Sequence, residues 1–302
     1  MKCNILLKNL TLTNKESIAY RERDGGFIPL ILIHGNMSSS AFWDVLIDSL
    51  PSNYKIYAPD MRGFGDSSYN NPFSTLQEIS MDLIEWAQIL KIGSMHIVGW
   101  STGGGVAMEM VISQQIPILS LILLSSVGPK GYQLQKSNDE AKLIQHEYIK
   151  TKEELKNDKA KVIPMLKAYS NKDTKFLKLI WSTLIYGEKQ PEEAKFNFYM
   201  MENLKQRNYI DVIYSLSYFN ISHEENVLCK GNGNIDHIKC PTLILWGDAD
   251  KVITQASMES LKEGIKNSKI IVIKNGGHSL ITDDTKLLSS QIHEFISQFN
   301  KC

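Results

Sequence analysis

Apolar runs at residues 29–33, 95–98, 118–124 and 241–246 constrain this chain more than any other feature, because they read as strands covered on both faces. A half-exposed strand would alternate, and a buried helix would be longer. Between the runs lie stretches with a helical period. Residues 76–90 place Leu76, Ile79, Leu83, Trp86, Ala87 and Leu90 on one stripe, and residues 41–50 are amphipathic and stop at Pro51. Residues 106–112 are expected to form a helix after the glycines at 103–105. Two short strands, 5–12 and 17–23, flank the polar turn Thr13-Asn14-Lys15, and 55–58 supplies another. Strand followed by helix, repeated, predicts an α/β fold with a mostly parallel, doubly wound central sheet.

The rhythm breaks after residue 128. The Lys- and Glu-rich stretch 140–161 is expected to be helical with a solvated face, and so are the aromatic-rich stretches 196–201 and 214–219. The α/β pattern resumes at 241–246, with a helix near 257–265, a strand at 269–273 and a last helix through Leu287, Ile292, Phe295, Ile296 and Phe299. The expected organisation is a core of residues 1–128 and 236–302, interrupted by a helical cap or lid at 129–235. Gly231-Asn232-Gly233-Asn234 is a turn at the end of that insertion; it does not join a strand to a helix and so is no dinucleotide fingerprint.

Composition narrows the function. The 302 residues are 43% hydrophobic and 22% charged, which suits a globular protein with a sizeable core. The 33 Lys and Arg match the 33 Asp and Glu, so no basic excess points to a nucleic-acid partner. Cys3, Cys229, Cys240 and Cys302 form no C-x-x-C pair; reduced thiols are expected, and neither a disulfide framework nor a zinc ribbon is indicated. No apolar stretch approaches the ~18–20 residues that cross a bilayer. The short apolar run before Lys8 is no signal-peptide core, so the expected location is the cytoplasm, with no membrane partner.

The chemistry concentrates at Gly99-Trp100-Ser101-Thr102-Gly103, which follows one expected strand and opens an expected helix. That is the setting of a nucleophile elbow, where small neighbours permit a turn tight enough to lift a serine hydroxyl to a helix N-terminus. Serine needs a base, and the base needs an orienting acid. His278 lies in a loop after the strand at 269–273, and Asp250 and Asp248 follow the strand at 241–246, giving the chain order Ser, Asp, His. Asp250 is preferred, because Asp248 directly follows Gly247 and is placed to stabilise the turn. The remaining histidines sit in a strand (His96), in or beside the insertion (His146, His223, His237), on the last helix (His293), or after the strand at 29–33 (His34, read as holding its loop in shape). An oxyanion hole would take the backbone N–H of Thr102 and, from the His34-Gly35-Asn36-Met37 loop, that of Asn36, with Met37 next in line. Met37, Phe42 and Trp43, facing Trp181 of the insertion, are the candidate lining of an apolar substrate pocket. The sequence contains no H-E-x-x-H, no Walker loop and no clustered ligand set, so neither a metal nor an organic cofactor is expected.

With these residues in hand the chain resembles the α/β-hydrolase superfamily. The resemblance rests on His34-Gly35, Asp60-x-Arg62-Gly63-x-Gly65-x-Ser67, Gly99-x-Ser101-x-Gly103-Gly104, Gly247-x-x-Asp250 and Gly277-His278. It implies that Ser101, Asp250 and His278 are nucleophile, acid and base, and that the insertion is the helical cap of many members. Similar dehalogenases and epoxide hydrolases use an aspartate nucleophile; a serine here implies acyl transfer instead. The expected reaction is hydrolysis of a carboxylic ester, lactone or thioester of a small to medium apolar molecule through an acyl-enzyme. Carbon–carbon bond hydrolases and cofactor-free haloperoxidases share the same residues, and a small-molecule receptor with vestigial hydrolysis is a reading from another class.

Overall fold

A computed structural model describes residues 5–299; Cys3 and Cys302 lie outside the described residues. Strands β1 (Ile5–Thr11) and β2 (Ser17–Arg23) form an antiparallel hairpin. Next come β3 (Ile28–Ile33), a 3₁₀ turn (Ser40–Trp43) running into α1 (Asp44–Ser49), and β4 (Tyr54–Pro59). They are followed by α2 (Leu76–Ile89), β5 (Met95–Trp100), α3 (Thr102–Ser113) and β6 (Ile118–Leu124). The helical stripe of α2 is buried as its spacing requires, and a capping box of Thr75 and Glu78 fixes its start.

The long excursion after β6 departs from the sequence-based expectation. Residues 140–161 are not one helix. An antiparallel pair, β7 (Gln135–Ser137) and β8 (Leu143–Tyr148), is followed by α4 (Lys152–Lys156). The reason is local. Asn138 Oδ1 accepts from the N–H groups of Glu140 and Lys142 and closes a turn, and Ala141 takes a left-handed φ of 60°. β8 is largely exposed, so no apolar stripe is available to hold a helix against the core. Beyond it, α5 (Val162–Ser170), α6 (Thr174–Ile180), a π-helical turn (Trp181–Ile185), α7 (Glu193–Asn203) and α8 (Tyr209–Tyr218) are helical. The chain returns to β9 (Thr242–Gly247), α9 (Gln255–Gly264), β10 (Ser268–Ile273), α10 (Leu280–Asp283) and α11 (Thr285–Ser297).

The central sheet has eight strands in the order β1-β2-β4-β3-β5-β6-β9-β10. Only the β1–β2 and β2–β4 pairings are antiparallel. The chain moves outward from β3 to β4, then crosses back to β5, so the order reverses between β3 and β5. In such sheets the crevice at the carboxyl ends of the strands flanking the reversal is where ligands bind. Two apolar clusters cover the sheet, and both include residues of the excursion: Val212, Leu216 and Phe219 in one, Trp181, Phe196 and Tyr199 in the other. Among the described residues no helix is long and apolar enough to cross a membrane.

Candidate active site

All the loops that carry the sequence-selected residues leave the carboxyl edge of this sheet. The tightest is the turn from β5 into α3. Ser101 occupies φ 54°, ψ −119°, a conformation that a side-chain-bearing residue holds only under strain. Gly103 makes the turn possible: a Cβ there would lie 2.2 Å from the carbonyl oxygen of Ile33. The glycines at 103–105 therefore fall inside α3, which starts earlier than expected because only Gly lets the helix approach β3 so closely. The hydroxyl of Ser101 does not cap the helix. It faces His278, with Nε2 3.0 Å from Oγ.

On the other side of the ring, His278 Nδ1 lies 2.9 Å from Asp250 Oδ2. Asp250 Oδ1 accepts the N–H groups of Val252 at 2.8 Å and Ile253 at 2.9 Å. Burial works to raise the pKa of this carboxyl, but the neighbouring His278 and the two N–H groups outweigh it and hold the pKa below the usual range. An ionised carboxylate only accepts, so Nδ1 donates and Nε2 is left as the acceptor for the Ser101 hydroxyl. Trp100 Nε1 donates to the carbonyl of His278 at 2.9 Å, fixing that loop to the end of β5. Asp248 is exposed and turned elsewhere, accepting from the N–H of Asn275 at 2.6 Å.

Asn36 and Thr102 both border the cavity at Ser101. Gly35 passes so near that a Cβ on it would lie 3.0 Å from Ser101 Cβ. The N–H of Met37 is engaged by Asn36 Oδ1 at 2.9 Å and by Gln206 Oε1 at 3.1 Å, so of the two loop N–H groups weighed from sequence it is the one with partners. His34 is buried and holds the loop: Nδ1 pairs with the Gly35 carbonyl at 2.8 Å and Nε2 accepts from Met61 N–H at 3.1 Å. Burial pushes its pKa down to about 4 despite the Gly35 bond, so the ring is neutral at pH 7. His96 is buried against Ser120, His293 meets the Tyr54 hydroxyl, and His146, His223 and His237 are exposed, all away from Ser101.

The cavity over Ser101 measures about 130 Å³. Met37 and Trp181 line it, as selected from sequence, whereas Phe42 and Trp43 do not. They lie one layer behind: Phe42 stacks between Trp181 and Tyr199, and Trp43 packs its edge on Trp100. The excursion adds Tyr132, Ile185, Ile213 and Leu216, which the sequence did not single out. Val252 and Ile253 also contribute, and their position directly after Asp250 was the available signal. Among the described residues no Asp, Glu, Lys or Arg borders the cavity. A larger groove of about 440 Å³ runs beside edge strand β10, but it is lined by neither Ser101 nor His278. Among the described residues no group of three or more His, Cys, Asp or Glu is arranged to hold a metal ion.

A hydrolase-type sheet with a serine, a histidine and an aspartate in register at its carboxyl edge agrees with the family comparison. The model of the alpha/beta hydrolase fold matches residues 28–285, and the chain belongs to that family. Among curated relatives, monoacylglycerol lipase ABHD6 of Homo sapiens is 23% identical over 294 residues, covering 92% of this chain and 78% of that protein. Lipase 3 of Moraxella sp. (strain TA144) is also 23% identical, over 290 residues, with 94% and 82% covered. Among solved structures, the esterase EaEST of Exiguobacterium antarcticum superposes with a TM-score of 0.74 at 18% identity, covering 97% of this chain and all of that one. A bromoperoxidase of Bacillus anthracis gives 0.72 at 21% identity, with 97% and 100% covered. These structural likenesses concern the fold.

Proposed function

We propose that this chain is a serine hydrolase that cleaves carboxylic esters with a compact, uncharged acyl group through an acyl-enzyme on Ser101. The observation that carries the reading is the continuous relay Ser101 Oγ, His278 Nε2, His278 Nδ1, Asp250 Oδ2, with links of 3.0 and 2.9 Å, at an uncharged cavity. The two curated relatives described above are lipases by name, which agrees with it.

His278 takes the Ser101 proton as Oγ bonds to the acyl carbon, and Asp250 holds the imidazole in the required tautomer and stabilises its cationic form. The carbonyl oxygen becomes an oxyanion received by the N–H groups of Asn36 and Thr102, the latter on the first turn of α3 where the helix dipole favours negative charge. His278 returns the proton to the leaving alcohol. Water then repeats the sequence on the acyl-enzyme, releasing the acid and restoring Ser101. Residues 129–235 act as the cap of this site, and Trp181, Ile185, Ile213 and Leu216 are its inner wall. An apolar cavity of about 150 Å³ holds benzene. A cavity of about 130 Å³ therefore suits an acyl group of roughly six heavy atoms or fewer.

The test is active-site labelling. A fluorophosphonate probe should modify the wild-type protein stoichiometrically at Ser101 and leave a folded Ser101→Ala variant unmodified. Labelling of that variant to the wild-type extent refutes the assignment.

A further inference from the structure

The sequence motif from Asp60 to Ser67 has no part in the relay above, yet it connects to the site through a residue of the excursion. Gln206 is buried, 5% exposed, and its amide makes four hydrogen bonds. Oε1 accepts from Met37 N–H at 3.1 Å and from the Tyr169 hydroxyl at 3.0 Å. Nε2 donates to Asn36 Oδ1 at 2.8 Å and to Asn208 Oδ1 at 3.0 Å. Two donors and two acceptor sites are all a glutamine amide has, so the group is saturated and its plane is fixed. Half of the bonds go to the two residues of the oxyanion loop.

The support behind Gln206 is equally fixed. Arg207 N–H donates to the Gly63 carbonyl at 2.8 Å, and Asn208 Nδ2 donates to the Arg62 carbonyl at 2.6 Å. Gly63 has a φ of 80°, and a Cβ there would lie 2.8 Å from the Asn208 side chain, so the close seat requires glycine. Arg62 in turn makes two 2.7 Å bonds to the Asp82 carboxylate on α2. A chain of buried polar contacts thus runs from the core helix, through the Arg62–Gly63 turn, to the amide beside Asn36.

Within the oxyanion loop His34 Nδ1 and Ser38 Oγ hold the Gly35 carbonyl, at 2.8 Å each, and the Asn36–Met37 segment that follows depends on Gln206. Met37 sits at φ 59°, a conformation costly for a side-chain-bearing residue. Its N–H is tied down by Asn36 Oδ1 and Gln206 Oε1 together. Without the Gln206 amide, the Met37 N–H would keep only Asn36 Oδ1, and that side chain would lose its own anchor, so the backbone on both sides of Asn36, including the Gly35–Asn36 peptide that carries its N–H, would be held less firmly.

We propose that Gln206 is a positioning residue for the reaction: by holding the Asn36 side chain and the Met37 N–H it fixes the backbone at Asn36, so that the Asn36 N–H, on the adjoining Gly35–Asn36 peptide, is aimed at the developing oxyanion. The inference rests on the proposed serine-hydrolase reading and extends it: the excursion is a structural member of the oxyanion hole as well as a wall of the acyl pocket. The effect belongs to the transition state, because charge on the carbonyl oxygen develops only there. Loss of an oxyanion donor costs about 10²–10³ in rate, and a misplaced one loses part of that.

The test uses Gln206→Met, which keeps the volume and removes all four hydrogen bonds, with p-nitrophenyl butyrate as substrate. kcat should fall about 10- to 100-fold with KM changed less than about threefold. The inhibition constant of a trifluoromethyl ketone, which forms a tetrahedral oxyanion adduct, should rise by the same factor as kcat/KM falls. The acid limb of the pH–rate profile should stay in place, because the His278–Asp250 pair is untouched. A folded variant whose kcat stays within threefold of wild type, or whose whole loss lies in KM, overturns the proposal. If Gln206→Met fails to fold, Gln206→Glu decides. It keeps the acceptor for Met37 but sets a carboxylate against Asn36 Oδ1, so its kcat relative to wild type should be reduced at pH 8 and recover toward pH 6 as the buried acid regains a proton. No reduction at pH 8 overturns the proposal. Fluorophosphonate labelling separates the two readings: wild type unlabelled at Ser101 defeats both, whereas normal labelling with an unaffected Gln206→Met defeats this one alone.

Discussion

Replacing Asp250 with Asn keeps the shape of the acid and changes only which of its atoms can donate. The structure determines how the new amide would sit. Both backbone N–H groups, from Val252 and Ile253, bond to Oδ1, and His278 bonds to Oδ2. The amide oxygen must therefore take the Oδ1 place, which turns the NH₂ toward His278 Nδ1. That ring nitrogen then has to accept, the proton moves to Nε2, and the imidazole presents N–H to Ser101 where a lone pair is needed. Reversing the amide would set NH₂ against two N–H groups at 2.8 and 2.9 Å. Leaving a buried donor unsatisfied costs about 1–3 kcal/mol, so the reversal costs about 2–6 kcal/mol for the pair. At 1.36 kcal/mol per decade this leaves about one molecule in 30 to one in 10⁴ with the competent tautomer. Loss of the negative charge that stabilises the imidazolium adds to the deficit. The expected result is a fall in kcat of at least about 100-fold, approaching the roughly 10⁴-fold known for the same change in a Ser-His-Asp protease. Initial rates on p-nitrophenyl butyrate at pH 8 measure it, with a thermal melt to show that the fold survives. A folded Asp250→Asn enzyme within tenfold of wild type would show that this carboxylate neither sets the tautomer nor supports the charge.

Two further outcomes follow from the geometry. Glu109, on α3 and 9% exposed, is held by burial at a pKa of about 7, above its ordinary 4.5. A carboxyl with a raised folded pKa favours the folded state fully below its unfolded value and loses that advantage as pH rises toward the folded one. Glu109→Gln should therefore stabilise the protein by ~1–3 kcal/mol at pH 8 and change little at pH 5, read from denaturant midpoints; equal effects at both pH values would contradict the buried-acid account. Trp181 is 1% exposed and forms part of the wall of the cavity over Ser101. Trp181→Ala should cost ~3–5 kcal/mol of stability and raise the ratio of kcat/KM for p-nitrophenyl octanoate over butyrate by about tenfold or more, since each added methylene gains up to ~0.8 kcal/mol once there is room for it; an unchanged ratio would place the acyl chain elsewhere.

The parts of this molecule that were readable from sequence share a physical reason. The strands β3, β5, β6 and β9 are buried on both faces, so their residues are apolar almost without interruption, and nothing but a covered sheet accommodates that. The turn at Ser101 was readable because its backbone excludes most residues: only small neighbours fit, and the requirement is written as glycines. The excursion was less readable. Between residues 135 and 148 the pairing depends on an Asn138 turn, while the composition there is mostly polar and suits either helix or strand. Phe42 and Trp43 show a second limit. A large aromatic near the site is apolar whether it faces substrate or another ring, and only packing put Trp181 in front of Phe42. Gln206 carries no local signal of its role, because its partners in the oxyanion loop lie 169 and 170 residues away in the chain.

The interleaving of sheet and excursion has a consequence for anyone who would exchange parts between hydrolases. Phe219 and Leu216 sit in one buried cluster with Ile31 and Leu121 of the sheet, and Phe196 and Tyr199 sit in the other with Leu30 and Val98. Polar contacts cross between the two as well, among them Lys195 and Tyr199 with Asp44 and Asn208 with the Arg62 carbonyl, so apolar and polar packing both tie the excursion to the core. A chimaera that imported a foreign stretch in place of residues 129–235 would inherit a mismatched floor as well as a new roof, so altering substrate range by transplant entails recarving the strands beneath.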